Sequence, residues 1–303
     1  MIQALLDGVL VGSVVSLGAI GLTMIMHLLR FANFSHAELL SIGAYAALVF
    51  DGLFAAAVPA AKAAVGPLSL TWTLFLAIIA AMALTGLSAV VIDRLVFKRI
   101  RETAGPLSMV FASFGVALII RSALSLVFGL KPRLYTDDIV FAVTISSDPQ
   151  LLVKPDQVFV FGAAVAIMLA LHLVLSRTTF GYALRAVAEN PSLAQVAGVR
   201  LSTVIAVTWV VGGALAGAAG VFHALDNQVS PAIGHNFVLA VFAATIVGGI
   251  GSVYGAVLGG FLVGIAFGLA LAIMPPGYSP AMPFLIILGV LFIRPQGVFG
   301  EQR

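Results

Sequence analysis

Residues 237–274 read FVLAVFAATIVGGIGSVYGAVLGGFLVGIAFGLALAIM, an apolar run without one Asp, Glu, Lys or Arg. A helix that crosses a bilayer takes about 20 residues, so this run is too long for a single span. Gly248, Gly249, Gly251 and Ser252 interrupt it about a third of the way along, and glycine at that density breaks a helix or turns the chain. The piece before the break, 237–250, would be roughly 21 Å long as a helix, short of the roughly 30 Å hydrocarbon core. It either enters and returns or crosses as a broken span. Both readings place it in lipid, because hydrocarbon is the one solvent in which a charge-free run of this length needs no cover.

Working outward, the same composition holds along the chain. Of 303 residues, 61% are apolar and only 9% charged, far from a soluble domain's roughly half apolar and quarter charged. Six further runs read as spans near 5–27, 37–59, 68–92, 106–130, 156–176 and 203–225, and a short one covers 281–293. The expected fold class is an all-α polytopic bundle of about eight or nine spans, a single transmembrane domain over 1–303. The first 27 residues lack the basic start and small-residue cleavage site of a signal peptide, and read as a retained first span. Cysteine is absent, which excludes disulfides and thiolate chemistry. The formal charge of +3 is small and dispersed, so no nucleic-acid partner is expected.

With nine spans, the connections at 28–36, 93–105, 177–202, 251–252 and 294–303 share one side. That side holds ten basic residues, namely Arg30, Arg94, Lys98, Arg99, Arg101, Arg177, Arg185, Arg200, Arg294 and Arg303; the other holds Lys62, Lys131, Arg133 and Lys154. The positive-inside rule makes the richer side cytoplasmic, with the N-terminus outside and the C-terminus in the cytoplasm. Connections this short leave no room for a soluble catalytic module.

The connection 177–202 carries the most specific pattern, expected to fold as two short helices. Asn190 can cap a second helix with Pro191 in its first position, and Gly198 can end it in a left-handed conformation. Leu193, Val196 and Ala197 fall on one face of that helix, outside the membrane. The face either rests on lipid headgroups or docks into a groove on a soluble partner.

This connection, together with Asn33-Phe34-Ser35-His36-Ala37-Glu38 and Gly43-Ala44-Tyr45, Gly248-Gly249-Ile250-Gly251-Ser252, and Arg294-Pro295-Gln296-Gly297, resembles the permease subunits of bacterial ABC importers for branched-chain amino acids, a family with relatives for urea and, further off, sugars. Ala37 stands where the family's first motif usually carries glycine. The resemblance spans nearly the whole chain. It implies an inner (plasma) membrane protein that works with a second homologous permease, two ATP-binding subunits, a soluble substrate-binding protein and surrounding lipid. It assigns ATPase coupling to Arg185, Ala186, Ala188, Glu189, Asn190 and Gly198. ATP and Mg would be used by the partner, and no cofactor by this chain. The residues agree, since no lysine here follows a glycine or precedes Ser or Thr as a Walker A loop requires.

Candidate pathway residues are Asn33, His36 and Glu38, polar where an apolar run would be easiest to continue, and Gly248, Gly249 and Gly251 at the break. The topology reading leaves the first group a polar loop at the cytoplasmic surface, while the family resemblance implies a lining that dips inward; the second is either a tight cytoplasmic turn or a backbone-lined hinge. Arg121 lies inside a span, roughly 14 Å from its outer end, and should pair with a carboxylate, Asp51 or Glu38 being nearest, or with carbonyls; the alternative is a direct part in the substrate path. Glycines 212, 213, 217 and 220, and 255, 259, 260, 264 and 268, recur at helical intervals and should bring helices close. His172 and His223 stand apart, so no metal site is expected. Asp137 and Asp138 are either solvated or meet the binding protein. Alternatives are a stand-alone secondary transporter or channel, a membrane scaffold, and urea or a short amide as cargo.

Overall fold

The computed structural model describes residues 1–136, 141–147, 150–294 and 296–299. Asp137, Asp138, Pro295 and Arg303 lie outside the described residues. Among the described residues, seven helices are long and apolar enough to cross a membrane, and two shorter apolar ones accompany them. The spans fall where the hydropathy places them: α1 (Ile2–Leu29), α2 (Ser35–Ala57), α3 (Trp72–Ile92), and, after a short α4 (Lys98–Thr103), α5 (Pro106–Phe128). A β1–β2 hairpin (Val143–Ser147, Gln150–Val153) precedes α6 (Pro155–Arg177). Two short helices follow, α7 (Thr179–Glu189) and α8 (Pro191–Val196), then α9 (Leu201–Asp226), α10 (Ile233–Gly248), α11 (Val253–Ile273) and α12 (Met282–Ile293).

Two ends of the bundle can be told apart. At one, Arg30 reaches α7, the α10–α11 turn packs on His27, and the stretch after α12 bonds back to α10. This is the basic end. At the opposite end Gln3 bonds Leu152, Lys154 and Gln157 meet Asp226, and Ser69 N donates to Asp156. The connection read as 93–105 is largely helix: a π turn at Asp93–Phe97 carries α3 into α4. Arg94, Lys98, Arg99 and Arg101 end the apolar run without ending the helix, because hydropathy reports where lipid stops and lysine and arginine are good helix formers. An ion pair between Asp93 and Arg101 ties the turn.

Packing follows the glycine rows. On α9, Gly212 faces Gly21, Gly213 faces Ala89 and Thr85, Gly217 meets Thr85, and Gly220 meets the Leu40 backbone. On α11, Gly260 meets Ser16, while Gly264 and Gly268 meet Gly12 and Gly8 of α1. Without a hydrophobic drive between helices in lipid, such close approach supplies the van der Waals contact that holds them. The result buries α1 and the first half of α2 at the centre, while α5 and α6 present apolar surface outward.

Candidate functional site

The chain between α1 and α2 turns back into the bundle. Arg30 ends α1 in the left-handed region at φ 56°, a conformation that reverses the chain and is costly for a residue with a Cβ. From there the backbone climbs inward. Phe31 lies against Phe97, and Phe97 stacks on Trp209. Phe34 N donates to Ser113 Oγ at 3.0 Å, and His36 Nε2 sits 3.1 Å from the Gly18 carbonyl oxygen. Gly18 is eleven residues before the end of α1, which puts His36 roughly 16 Å inside the basic end. Helix α2 therefore begins near the middle of the bundle.

Asn33, Ser35, His36 and Glu38 are all buried there. Asn33 Oδ1 accepts from the backbone N and the hydroxyl of Ser35. Asn33 Nδ2, His36 Nδ1 and Glu38 Oε2 have no hydrogen-bond partner. Unpaired buried polar atoms cost roughly 1–3 kcal/mol each, so three on one six-residue stretch point to groups kept for water or a ligand. Glu38 also faces Arg121 of α5, with Nε and Oε1 4.0 Å apart. Asp51, the other expected partner, is instead held near the opposite end, accepting from Thr73 Oγ1 at 2.6 Å and, more loosely, from Thr71 Oγ1.

Aromatic rings wall this region. Phe34 stacks between Phe114 at 3.9 Å and Phe242 at 4.5 Å between ring centroids. Phe114 and Arg121 are seven residues apart on α5, two turns along the same face. Beside them, the N-terminus of α10 meets that of α2: Gly234 N donates to Ser41 Oγ at 2.9 Å, and a Cβ on Gly234 would lie 2.4 Å from the Ala37 oxygen.

The glycine break does not join this cluster. Gly249 and Gly251, both at φ 101°, form a tight turn at the basic end, and a Cβ on Gly251 would lie 2.4 Å from His27 Nδ1. Gly248 packs on Gly255, and Val298 N and Phe299 N donate to the Val247 and Gly248 oxygens. Of the two readings of Gly248, Gly249 and Gly251, this is the turn. The interrupted end of α10 is its start, where the chain from Asn227 to Ala232 re-enters the bundle; Ser230-Pro231 was the available signal.

The connection 177–202 forms the expected two helices. Gly181 lets α7 fold back on α6, since a Cβ there would lie 2.0 Å from the Leu175 oxygen. Arg185 donates to that same oxygen at 3.0 Å and lies over the Tyr182 ring. Ala188 is buried, Ala186 partly so, and Glu189 is exposed. Asn190 Oδ1 accepts from Leu193 N at 3.0 Å, capping α8. Gly198 closes it at φ 87°, its N bonded to Gln195 O and Val199 N to Ala194 O, the paired bonds of a Schellman ending. Leu193 and Val196 remain 66% and 87% exposed. One bond ties this unit to the buried stretch: Arg30 donates to the Ala188 oxygen at 3.2 Å.

At the opposite end a small cavity of about 140 Å³ is lined by Ser69, Tyr135, Lys154, Asp156 and Asp226, among others. Burial pushes the Tyr135 phenol well above its usual range, and its hydroxyl donates to Ala44 O at 2.9 Å. His172 bonds Tyr254, and His223 packs on Phe237 beside Asn227. No cluster of three or more metal-ligating side chains occurs among the described residues.

A bundle of close-packed apolar helices, with buried polar groups at a broken crossing and an exposed helical pair at one end, has the build of a membrane permease. The chain matches, over residues 4–291, the family described as branched-chain amino acid transport system / permease component, and it belongs to that family. It is thus a multi-pass membrane protein, the permease component of a transport system and not its catalytic part. The high-affinity branched-chain amino acid transport system permease protein BraD of Pseudomonas aeruginosa is 30% identical over 307 residues, covering 100% of this chain and 96% of that one. LivH of Escherichia coli K12, described in the same words, is 29% identical over 308 residues with the same coverage. A probable branched-chain amino acid transport permease protein LivH of Methanocaldococcus jannaschii is 33% identical over 147 residues, 45% of each chain. No solved structure is a significant match.

Proposed function

We propose that this chain forms part of the wall of the translocation path in an ATP-driven importer for branched-chain or related amino acids. It pairs with a second homologous permease, takes cargo from a soluble binding protein outside, and is driven by two ATP-binding subunits that use ATP and Mg. Its basic end faces the cytoplasm, because nine of the ten basic residues assigned to that side are within the described chain and share that end. Cargo, partners and residue roles rest on similarity to BraD and LivH together with the geometry.

The observation that carries the reading is the bare apolar face of α8. Leu193 and Val196 project from a capped, two-helix unit whose other side is anchored to α6 and to Arg30, as expected of an anchor for a groove on a soluble partner. Movement of α7 and α8 would pull on Arg30, and through it on the stretch that carries Asn33, His36 and Glu38. That gives ATP-driven closure a short mechanical route to the middle of the bundle.

The test is uptake of labelled leucine into vesicles holding the permeases and ATPases, with loaded binding protein outside. Uptake should require ATP and should fall at least tenfold in Glu189→Arg, with the ATPase no longer co-purifying. Uptake that runs on a proton gradient without ATP would replace this reading with a secondary transporter.

A further inference from the structure

We infer that Glu38 and Arg121 form a clamp for a zwitterion, Glu38 taking the α-ammonium and Arg121 the α-carboxylate of a passing amino acid; this rests on the permease reading above. The pair is incompletely made. Its closest approach, 4.0 Å, is within ion-pair range but beyond a hydrogen bond; the Ser41 hydroxyl lies beside the carboxylate, and Glu38 Oε2 is buried with no partner in hydrogen-bond geometry. The two sides of the pair also differ in access. The Glu38 side chain is 4% exposed and the Arg121 side chain 29%.

An arginine on a lipid-facing surface at this depth would be costly. Its neighbours on the outward surface of α5, Phe111, Leu118 and Ile119, are apolar and exposed. The open side of the guanidinium therefore belongs against a wet path or a second subunit lining that path. A guanidinium presents five donors in a planar fork, of which a single loose contact to Glu38 uses one edge. The free edge matches a carboxylate in two-point fashion, and the unpaired Oε2 accepts from an ammonium.

Charge alone would suit any zwitterion; the rings narrow the class. Phe34, Phe114 and Phe242 stack within two helical turns of the pair, offering an apolar surface and no donor for the rest of the ligand. The arrangement fits an α-amino acid with an apolar side chain. It does not fit urea or a short amide, which would leave both charges unanswered.

An ion pair kept only for packing behaves differently from a clamp when both members are neutralised. Removing one partner of a buried pair leaves an uncompensated charge, whereas removing both is often close to neutral for stability. The experiment is the reconstituted complex with Glu38→Gln and Arg121→Gln combined, reading leucine taken up per ATP hydrolysed under stimulation by leucine-loaded binding protein. The clamp predicts an assembled complex with stimulated hydrolysis and at least a tenfold loss of uptake per ATP. Uptake per ATP within twofold of the native complex would overturn it. Should the double variant not assemble, Arg121→Lys keeps the charge beside Glu38 but loses the fork. A fall of at least fivefold in uptake per ATP then supports the clamp, and an unchanged ratio overturns it. If the native complex takes up no leucine with ATP, the proposed amino-acid importer function fails first and the clamp with it.

Discussion

Gly220 and Gly115 are both glycines in membrane helices, and they answer to different forces. A Cβ on Gly220 would lie 1.9 Å from the Leu40 carbonyl oxygen, which is backbone and cannot step aside, while one on Gly115 meets nothing within 4 Å. Gly220→Ala should therefore destabilise by about 1–3 kcal/mol or more, the usual cost of overpacking, and lower the unfolding midpoint in detergent. Gly115→Ala should leave that midpoint unchanged or raised, since alanine is the better helix former. Equal losses in the two would show that the close approach of α2 and α9 does not hold the bundle. His36→Ala, deep beside Gly18, should assemble normally yet lose at least tenfold in leucine uptake; unchanged uptake would end its candidacy. The sequence marked Asn33, His36 and Glu38 by residue type, as polar groups where apolar ones would be easiest, and the family resemblance offered an inward dip as one of two readings. The residues themselves do not fix the depth, because what draws 31–34 inward is packing against Phe97, Ser113 and Phe242 from three distant segments. The same limit left Arg121 between two carboxylates until tertiary structure placed Glu38 against it and Asp51 against Thr71 and Thr73.

At the scale of elements, α8 is short enough to be defined by its two ends. Asn190 caps it and Gly198 closes it, and a Cβ on Gly198 would meet nothing within 4 Å, so the glycine's value is conformational. Gly198→Ala would force a Cβ into the left-handed region at roughly 1–2 kcal/mol and redirect the chain into α9. The docking face itself is better tested without altering backbone: Leu193→Ser with Val196→Ser changes two exposed side chains, and surface changes usually cost under about 0.5 kcal/mol. The double variant should fold and insert as the native chain does while losing ATPase co-purification. Retained co-purification, with stimulated hydrolysis intact, would mean the face rests on lipid. This pair of helices was legible because caps and glycine stops are local chemistry. The helix from Asp93 to Thr103 was not, because four basic residues change the solvent a helix prefers without changing its backbone. That α10 is too short for a full span was legible from its length, but the end at which it is interrupted was not: Gly248 to Gly251 is the louder glycine signal, yet it makes an ordinary turn at the basic end.

For the whole molecule, seven long apolar helices and two shorter ones among the described residues fix which connections share an end of the bundle, and charge is what distinguishes the two ends. Ten basic residues against four favour the basic end in the cytoplasm, and both the coupling route through Arg30 and delivery of cargo from outside depend on that choice. The chain holds no cysteine, so single cysteines can be read against an empty background. Lys62, between α2 and α3, and Gln195, on α8, are both exposed and are separated in sequence by three crossings, made by α3, α5 and α6. A membrane-impermeant maleimide applied to intact cells should label Lys62→Cys, and should label Gln195→Cys only after lysis. The reverse pattern would put α7 and α8 outside, where no ATP-binding subunit could meet them, and the driven-importer reading would fall with the orientation. Labelling of both from one side would mean that an even number of those three helices crosses. Since Ser69 and Asp156 bond each other at one end while Arg30 and Ala188 bond at the other, the packing leaves no room for that outcome without a different bundle.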